Sequence, residues 1–207
     1  MLYAVFESWD SGLIFAASDG LLVLRGSCRS REVQTPFFAF RDVFGALLHV
    51  RRSGSINEKT AALLKVIEAN AFFRTIPHRA LLNSVLPVKL KETNVTRKMM
   101  GRTRMTSTVA CLQRFLTAQS FTRPTALIID DCQWMDVDSF TLLHKLLEIG
   151  SIAIVASWRN EGKDRTKLSE LMERSTNLTL KPFDEKETEA FILDRYQLRA
   201  MCVVRER

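Results

Sequence analysis

Apolar residues recur at helical spacing in some stretches of the chain and in short unbroken runs in others, and the two patterns alternate. Leu2, Val5, Phe6, Trp9, Leu13, Ile14 and Ala17 predict a helix over residues 2–17, interrupted at Asp10-Ser-Gly12. A turn at residues 18–20 precedes Leu21-Leu-Val-Leu24, a short buried strand ending at Arg25-Gly26. After the break at Thr35-Pro36, Phe40, Val43, Phe44, Leu47 and Leu48 recur every three or four positions, the clearest amphipathic helix of the first half. A Ser/Gly/Asn loop over residues 53–57 leads to a second helix over residues 58–73, with Leu63, Leu64 and Ile67 on its face. Pro77 and Pro87 bracket Leu81-Leu82 and Val85-Leu86, a short packed helix.

Residues 88–106 are polar and basic, and Ser107 then caps a helix carrying Val109, Leu112, Phe115 and Leu116 that ends near Ser120. In the next stretch, residues 124–136, Ala126 to Ile129 are apolar without alternation, as in a central parallel strand covered on both faces. Asp136, with Ser139 three residues on, starts a helix whose buried side is Phe140, Leu143, Leu146 and Leu147 and which stops at Gly150. Residues 152–156 form a third buried strand running into Ser157-Trp-Arg159. Leu168, Leu171 and Met172 mark a short helix and residues 178–180 a fourth strand. Asp184 and Glu187 make a capping-box-like start for a last helix to about Tyr196. Strands alternating with helices predict a mainly parallel α/β sheet, with no internal repeat and no low-complexity tract.

A chain of 207 residues supports one domain with a real core, or one domain and part of a second. Formal charge of +7 and a pI near 9.5 admit an anionic partner, whether nucleotide, nucleic acid or acidic protein surface, without choosing among them. Cys28, Cys111, Cys132 and Cys202 are widely separated, form no CxxC pair and have only His49, His78 and His144 for company. That argues against a metal site or a disulfide framework and fits a reducing compartment. No run approaches the roughly 18 to 20 apolar residues of a membrane helix. Glu7 and Asp10 near the N-terminus are unlike a secretory signal, so the expected location is cytoplasmic. Arg97, Lys98, Arg102 and Arg104 suggest a nucleic-acid contact, but no aromatic residue among them could stack on a base, and a solvated loop or helix end explains them as well.

The chemistry concentrates where the second apolar run ends in Asp130 and Asp131. The carboxyl ends of strands are the ligand-binding edge of an open α/β sheet. A carboxylate there can hold Mg²⁺ through water while its neighbour orients an attacking water, the arrangement of a Walker B strand. The competing reading is a buried strand followed by a polar turn that caps the next helix. Four stretches together resemble the P-loop ATPase module of the signal-transducing STAND class (an Orc1-like AAA ATPase domain), as found in soluble adenylyl cyclases and related regulators. They are Leu22-Val-Leu-Arg-Gly-Ser-Cys28 running into Thr35-Pro-Phe-Phe-Ala-Phe-Arg-Asp42; Leu81-Leu-Asn-Ser-Val-Leu-Pro87; Leu127-Ile-Ile-Asp-Asp-Cys-Gln-Trp-Met-Asp136; and Ile154-Val-Ala-Ser-Trp-Arg159.

The resemblance implies a three-layer P-loop NTPase core with a parallel sheet, incomplete at the N-terminus. Residues 1–183 would be a partial AAA/STAND-type domain lacking Walker A, and residues 184–207 the start of a following helical region. It implies ATP and Mg²⁺ as cofactors, Asp130 as the acid that holds the metal through water, Asp131 as the acid that polarises the hydrolytic water, and Arg159 as the sensor of the γ-phosphate. The alternative for Arg159 is an exposed ion pair. Trp134 is expected to pack under the loop, and Cys132 to be a small buried residue.

The chain departs from this family's pattern at its front. A P-loop needs G-x-x-x-x-G-K-[ST] so that backbone N–H groups wrap the phosphates and the lysine reaches them, and no such string occurs. The only Gly-Lys, Gly162-Lys163, is followed by Asp164 and lacks a glycine five residues earlier. Counting back from Leu24-Arg25-Gly26, the lysine belongs near residues 4–8, which read Ala-Val-Phe-Glu-Ser. Either the chain begins at or inside the helix that normally comes after the P-loop, or the motif has been replaced. Loss of the P-loop strand from inside the sheet should leave unpaired strand edges, and Asp130 with Arg159 alone would hold nucleotide poorly. The expected function is therefore an incomplete nucleotide switch for an attached effector in a longer parent, with no cyclase catalytic domain and no membrane partner. The alternatives are a nucleotide-free interaction scaffold and a DNA-associated initiator-type ATPase. Against the last, no winged-helix or helix-turn-helix segment is evident after residue 183.

Overall fold

In a computed structural model, which describes residues 15–16, 20–159, 175–179, 181 and 183–196, four strands form one sheet in the order β1-β2-β3-β4. β1 (Phe15–Ala16) runs antiparallel to β2 (Leu22–Ser27). β2 pairs in parallel with β3 (Thr125–Asp130), from Leu22 opposite Thr125 to Ser27 opposite Asp130. β3 pairs in parallel with β4 (Ala153–Ala156). The α/β class with a parallel three-strand core thus stands. The chain divides into two compact units, residues 1–163 and 164–207.

The parallel pairs need long crossovers, and helices fill them. Between β2 and β3 lie α1 (Phe38–Leu47), α2 (Ile56–Ala69), α3 (Ala71–Thr75), α4 (Asn94–Lys98) and α5 (Gly101–Thr122); α6 (Val137–Ile149) joins β3 to β4. α1 lies on β2 with its backbone almost touching the strand. A Cβ on Gly26 would stand 2.1 Å from the Ala39 carbonyl oxygen, so only glycine permits this approach. The core gathers Leu24, Phe40, Phe44, Leu112, Phe115, Leu127 and Ile129, all fully buried. Each such side chain contributes about 1.5–3 kcal/mol by leaving water. Phe73 meets Phe115 edge-on at 5.0 Å, tying α3 to α5.

Several expectations give way to the packing. The helix foreseen over residues 2–17 falls mostly outside the described residues, but Phe15–Ala16 is strand, held by pairing to Leu22 and Val23. The helix expected to run unbroken to Phe73 stops at Asn70, whose side chain accepts from the N–H groups of Phe72 and Phe73 and starts α3 afresh. Residues 79–84 form a 3₁₀ turn. α5 begins at Gly101, not at Ser107, and Arg104 anchors its first turn to Glu92 at 2.8 Å and to the Thr96 carbonyl at 2.9 Å.

The buried side of α6 is Ser139, Leu142, Leu143 and Leu146; Phe140 is only half-buried. β3 is not equally covered on both faces: Thr125, Leu127 and Ile129 are buried, whereas Ala126, Ile128 and Asp130 are half-exposed. β4 is not a buried strand, since Val155 is 55% exposed and Ala153 is exposed too. β3 itself is paired on both sides, by β2 and β4, which satisfies its backbone groups. The sheet ends at β4, whose far side pairs with no strand among the described residues. Residues 175–179 are irregular with Leu178 84% exposed, so no strand forms there within the described residues. The short helix foreseen around Leu168 and the pair Gly162-Lys163 lie outside them.

In the second unit, α7 (Glu185–Tyr196) opens on the foreseen capping box: Asp184 N–H donates to Glu187 Oε2 at 3.0 Å and Glu187 N–H to Asp184 Oδ1 at 2.8 Å.

Candidate functional site

The carboxyl ends of β3 and β4 bring five polar residues together. Past β3 the chain turns through Asp131, a non-glycine residue in the left-handed region with φ of 55°, into a 3₁₀ turn over Cys132–Trp134. Past β4 it stays alongside: Ser157 N–H donates to the Ile129 carbonyl at 3.0 Å, and Cys132 N–H to the Ser157 carbonyl at 2.8 Å. This stitching positions the Ser157 hydroxyl between the acids. It donates to Asp130 Oδ1 and accepts the Asp131 N–H at 3.1 Å.

Asp131 Oδ1 accepts from Gln133 Nε2 at 2.8 Å and lies 3.8 Å from Arg159 Nε. Gln133 Oε1 in turn accepts the Arg159 N–H at 3.1 Å. With Arg159 74% and Asp131 39% exposed in their side chains, the ion pair is screened and worth at most about 1 kcal/mol. The three foreseen residues, Asp130, Asp131 and Arg159, are therefore neighbours. Arg159 does form the exposed ion pair considered for it, and its partner is the second acid. Ser157 and Gln133 complete the group without having been foreseen. The only sequence sign was their place, one just after each strand end.

Cys132 is buried behind the acids with its thiol against that of Cys28, which comes just after β2. The thiol donates to the Ile129 carbonyl at 3.5 Å, and the neighbouring Cys28 thiol, then burial and the charges of Asp130 and Asp131, push it well above its ordinary range. It stays protonated, as a small buried residue should. Trp134 does not pack under the loop; it is 42% exposed, because the Asp131 turn carries it outward.

The most deeply engaged acid is Asp136. Only 4% exposed, it accepts from Ser139 N–H at 2.9 Å and Ser139 hydroxyl at 2.6 Å, capping α6 as foreseen. The same carboxylate accepts from Phe37 N–H at 3.0 Å and Phe38 N–H at 3.2 Å at the start of α1. One charge thus serves two helix N-termini, where partial positive charge favours it. Neighbouring Asp138 is pushed up by partial burial and by the Asp136 charge.

For Mg²⁺ the group at the strand ends is chemically suitable. Such an ion keeps several waters and needs one or two carboxylates, which Asp130, flanked by the Ser157 hydroxyl, can offer. Among the described residues no set of three or more His, Cys, Asp or Glu side chains could enclose a metal. A nucleotide's phosphates would find few backbone donors here. The N–H groups of Phe37, Phe38 and Ser139 are taken by Asp136, and those of Asp131 and Arg159 by Ser157 and Gln133. Within the group only the Arg159 guanidinium is placed to meet an incoming phosphate. Comparison of the chain with protein-family models, with curated proteins and with solved structures finds no match.

Proposed function

We propose that this chain carries an incomplete ATP-binding regulatory module of the STAND/AAA P-loop type, related to that of soluble adenylyl cyclase, and that it serves as a switch for an attached effector. One observation supports the reading above the rest: Asp130, Asp131 and Arg159 meet at the carboxyl ends of two adjacent parallel strands, joined through Ser157 and Gln133. In this reading Asp130 would hold hydrated Mg²⁺, which when bound supplies positive charge for phosphate oxygens. Arg159 would meet the phosphate from its screened place beside Asp131, and Asp131 would be the residue to orient water. The proposal is for binding; turnover is not part of it, because the sequence holds no glycine loop of the kind that wraps phosphates.

A thermal-shift titration with Mg²⁺ and ATP tests this. Micromolar stabilisation that weakens in Asp130→Ala and in Arg159→Ala is the expected result. The engagement of the N–H groups of Phe37, Phe38, Ser139, Asp131 and Arg159 favours a second reading, a nucleotide-free interaction scaffold. Absence of any nucleotide-dependent shift decides for that scaffold. The DNA-associated reading has weaker support, because Arg104 is already bound to Glu92 and only Arg97, Lys98 and Arg102 remain exposed. Salt-sensitive DNA binding lost on neutralising those three would revive it.

A further inference from the structure

A broad groove of about 1550 Å³ opens between α1, the loop after it, α2 and residues 83–87. It shares no residue with the group at the strand ends. Its floor is aliphatic, from Ala46, Ala62, Val66 and Pro87, and its lining contains no Phe, Tyr or Trp, His49 being its one aromatic ring. Its rim is cationic, with five Lys and Arg side chains against two carboxylates, Asp42 and Glu58. Both carboxylates are already engaged. Asp42 pairs with Arg52 at 2.9 Å, and Glu58 accepts from Ser55 N–H at 2.7 Å and from its hydroxyl at 2.9 Å. Lys59 Nζ donates to the Arg52 carbonyl at 2.9 Å and so stays at the rim. Arg41 lies over the Phe38 ring at 5.6 Å. Among the described residues no acid pairs with Arg41, Arg51 or Lys65.

Size and chemistry together select the occupant. Pockets for small ligands run to about 300–1,000 Å³ and enclose most of the ligand; this groove is larger and open. Single-stranded nucleic acid combines a basic groove with aromatic rings on which successive bases stack, and here His49 is the one ring in the lining. Aliphatic floor and cationic rim instead complement a helix with apolar residues on one side and carboxylates on the other, bound in the helix-in-groove mode.

We propose that this groove is a docking site for an acidic amphipathic helix of a partner protein. The apolar face lies on Ala62, Val66 and Pro87, and the carboxylates meet Arg41, Arg51 and Lys65.

The test uses the full chain and a fluorescent peptide of about 14 residues, roughly the length at which helices begin to hold. It carries Leu at every third or fourth position and Glu between. Anisotropy should report saturable binding that weakens with added salt and falls about tenfold in Arg51→Glu/Lys65→Glu. That exposed pair lies outside the core, and circular dichroism checks that the variant folds. A second variant, Ala62→Glu, places a carboxylate on the floor and should weaken binding while leaving every rim cation in place. A scrambled peptide of the same composition binding as tightly, or no binding at all, overturns the proposal. So does an RNA or DNA oligonucleotide that binds in the groove more tightly than the peptide, which would make nucleic acid the occupant.

Discussion

Replacing Asp136 by alanine removes one carboxylate and strips the partner from four donors, the N–H groups of Phe37, Phe38 and Ser139 and the Ser139 hydroxyl. Loss of a helix cap costs about 0.5–2 kcal/mol, and two helices, α1 and α6, lose theirs together. Hydrogen bonds to a charged acceptor are worth about 1.5–3 kcal/mol each. At 4% exposure water has little access to replace them. These contributions overlap, and we expect a total near 3–4 kcal/mol. For a unit of this size that lowers the melting temperature by roughly 8–12 °C.

Urea unfolding followed by far-ultraviolet circular dichroism measures the loss, with the slope against urea unchanged if only stability has moved. Ser139→Ala, which removes the hydroxyl and leaves the three N–H bonds, should cost about 1 kcal/mol. Asp136→Asn keeps one acceptor oxygen and should fall between the two. The double variant Asp136→Ala/Ser139→Ala should cost less than the sum of the singles, because they share a bond. A cost for Asp136→Ala below about 1 kcal/mol, or no greater than that of Ser139→Ala, would refute the view that one charge holds two helix ends.

Gly26→Ala should destabilise by about 1–3 kcal/mol in the same urea assay, because its Cβ would press within 2.1 Å of the Ala39 carbonyl; a neutral result would mean that α1 moves freely off β2. In a Cys202→Ser variant a disulfide-exchange reagent should find almost no reactive thiol until urea is added. Cys28, Cys111 and Cys132 are buried, and burial foremost pushes the Cys111 thiol up to about 12. Glu58 is held below its ordinary value of 4.5 by its hydrogen bonds to the Ser55 backbone and hydroxyl. The stability it adds is present above 4.5 and fades as pH falls through the lowered value. The stability gap between wild type and Glu58→Gln should therefore close on acidification, and a gap that widens would reverse the sign.

How much the sequence disclosed depended on whether an element's partners lay nearby along the chain. The apolar stripes of α1 and the Asp136–Ser139 start of α6 were plain, because burial and capping there write a local pattern. The first turns of α5, from Gly101 to Thr106, carry no apolar stripe because that end is largely exposed and secured by Arg104, so only a polar stretch was visible. The break at Asn70 was hidden by apolar residues that continue across it, though an Asn side chain able to satisfy two following N–H groups is itself a stop signal. At the strand ends the acid pair announced itself as charge after an apolar run. Ser157 and Gln133 did not, since small polar residues beyond a strand look like any turn. The second role of Asp136 was beyond any local reading, because Phe37 lies 99 positions away.

The shallow strand β4 bears on how the protein behaves in bulk. Among the described residues it is the edge of the sheet, and its four residues, Ala-Ile-Val-Ala, carry no charge or proline, the usual devices by which edge strands avoid one another. Two copies meeting along it could continue the sheet from one molecule into the next, burying Val155 in the process. That association would work against the net charge of +7, which repels copies only over distances that ordinary salt shortens to about 10 Å.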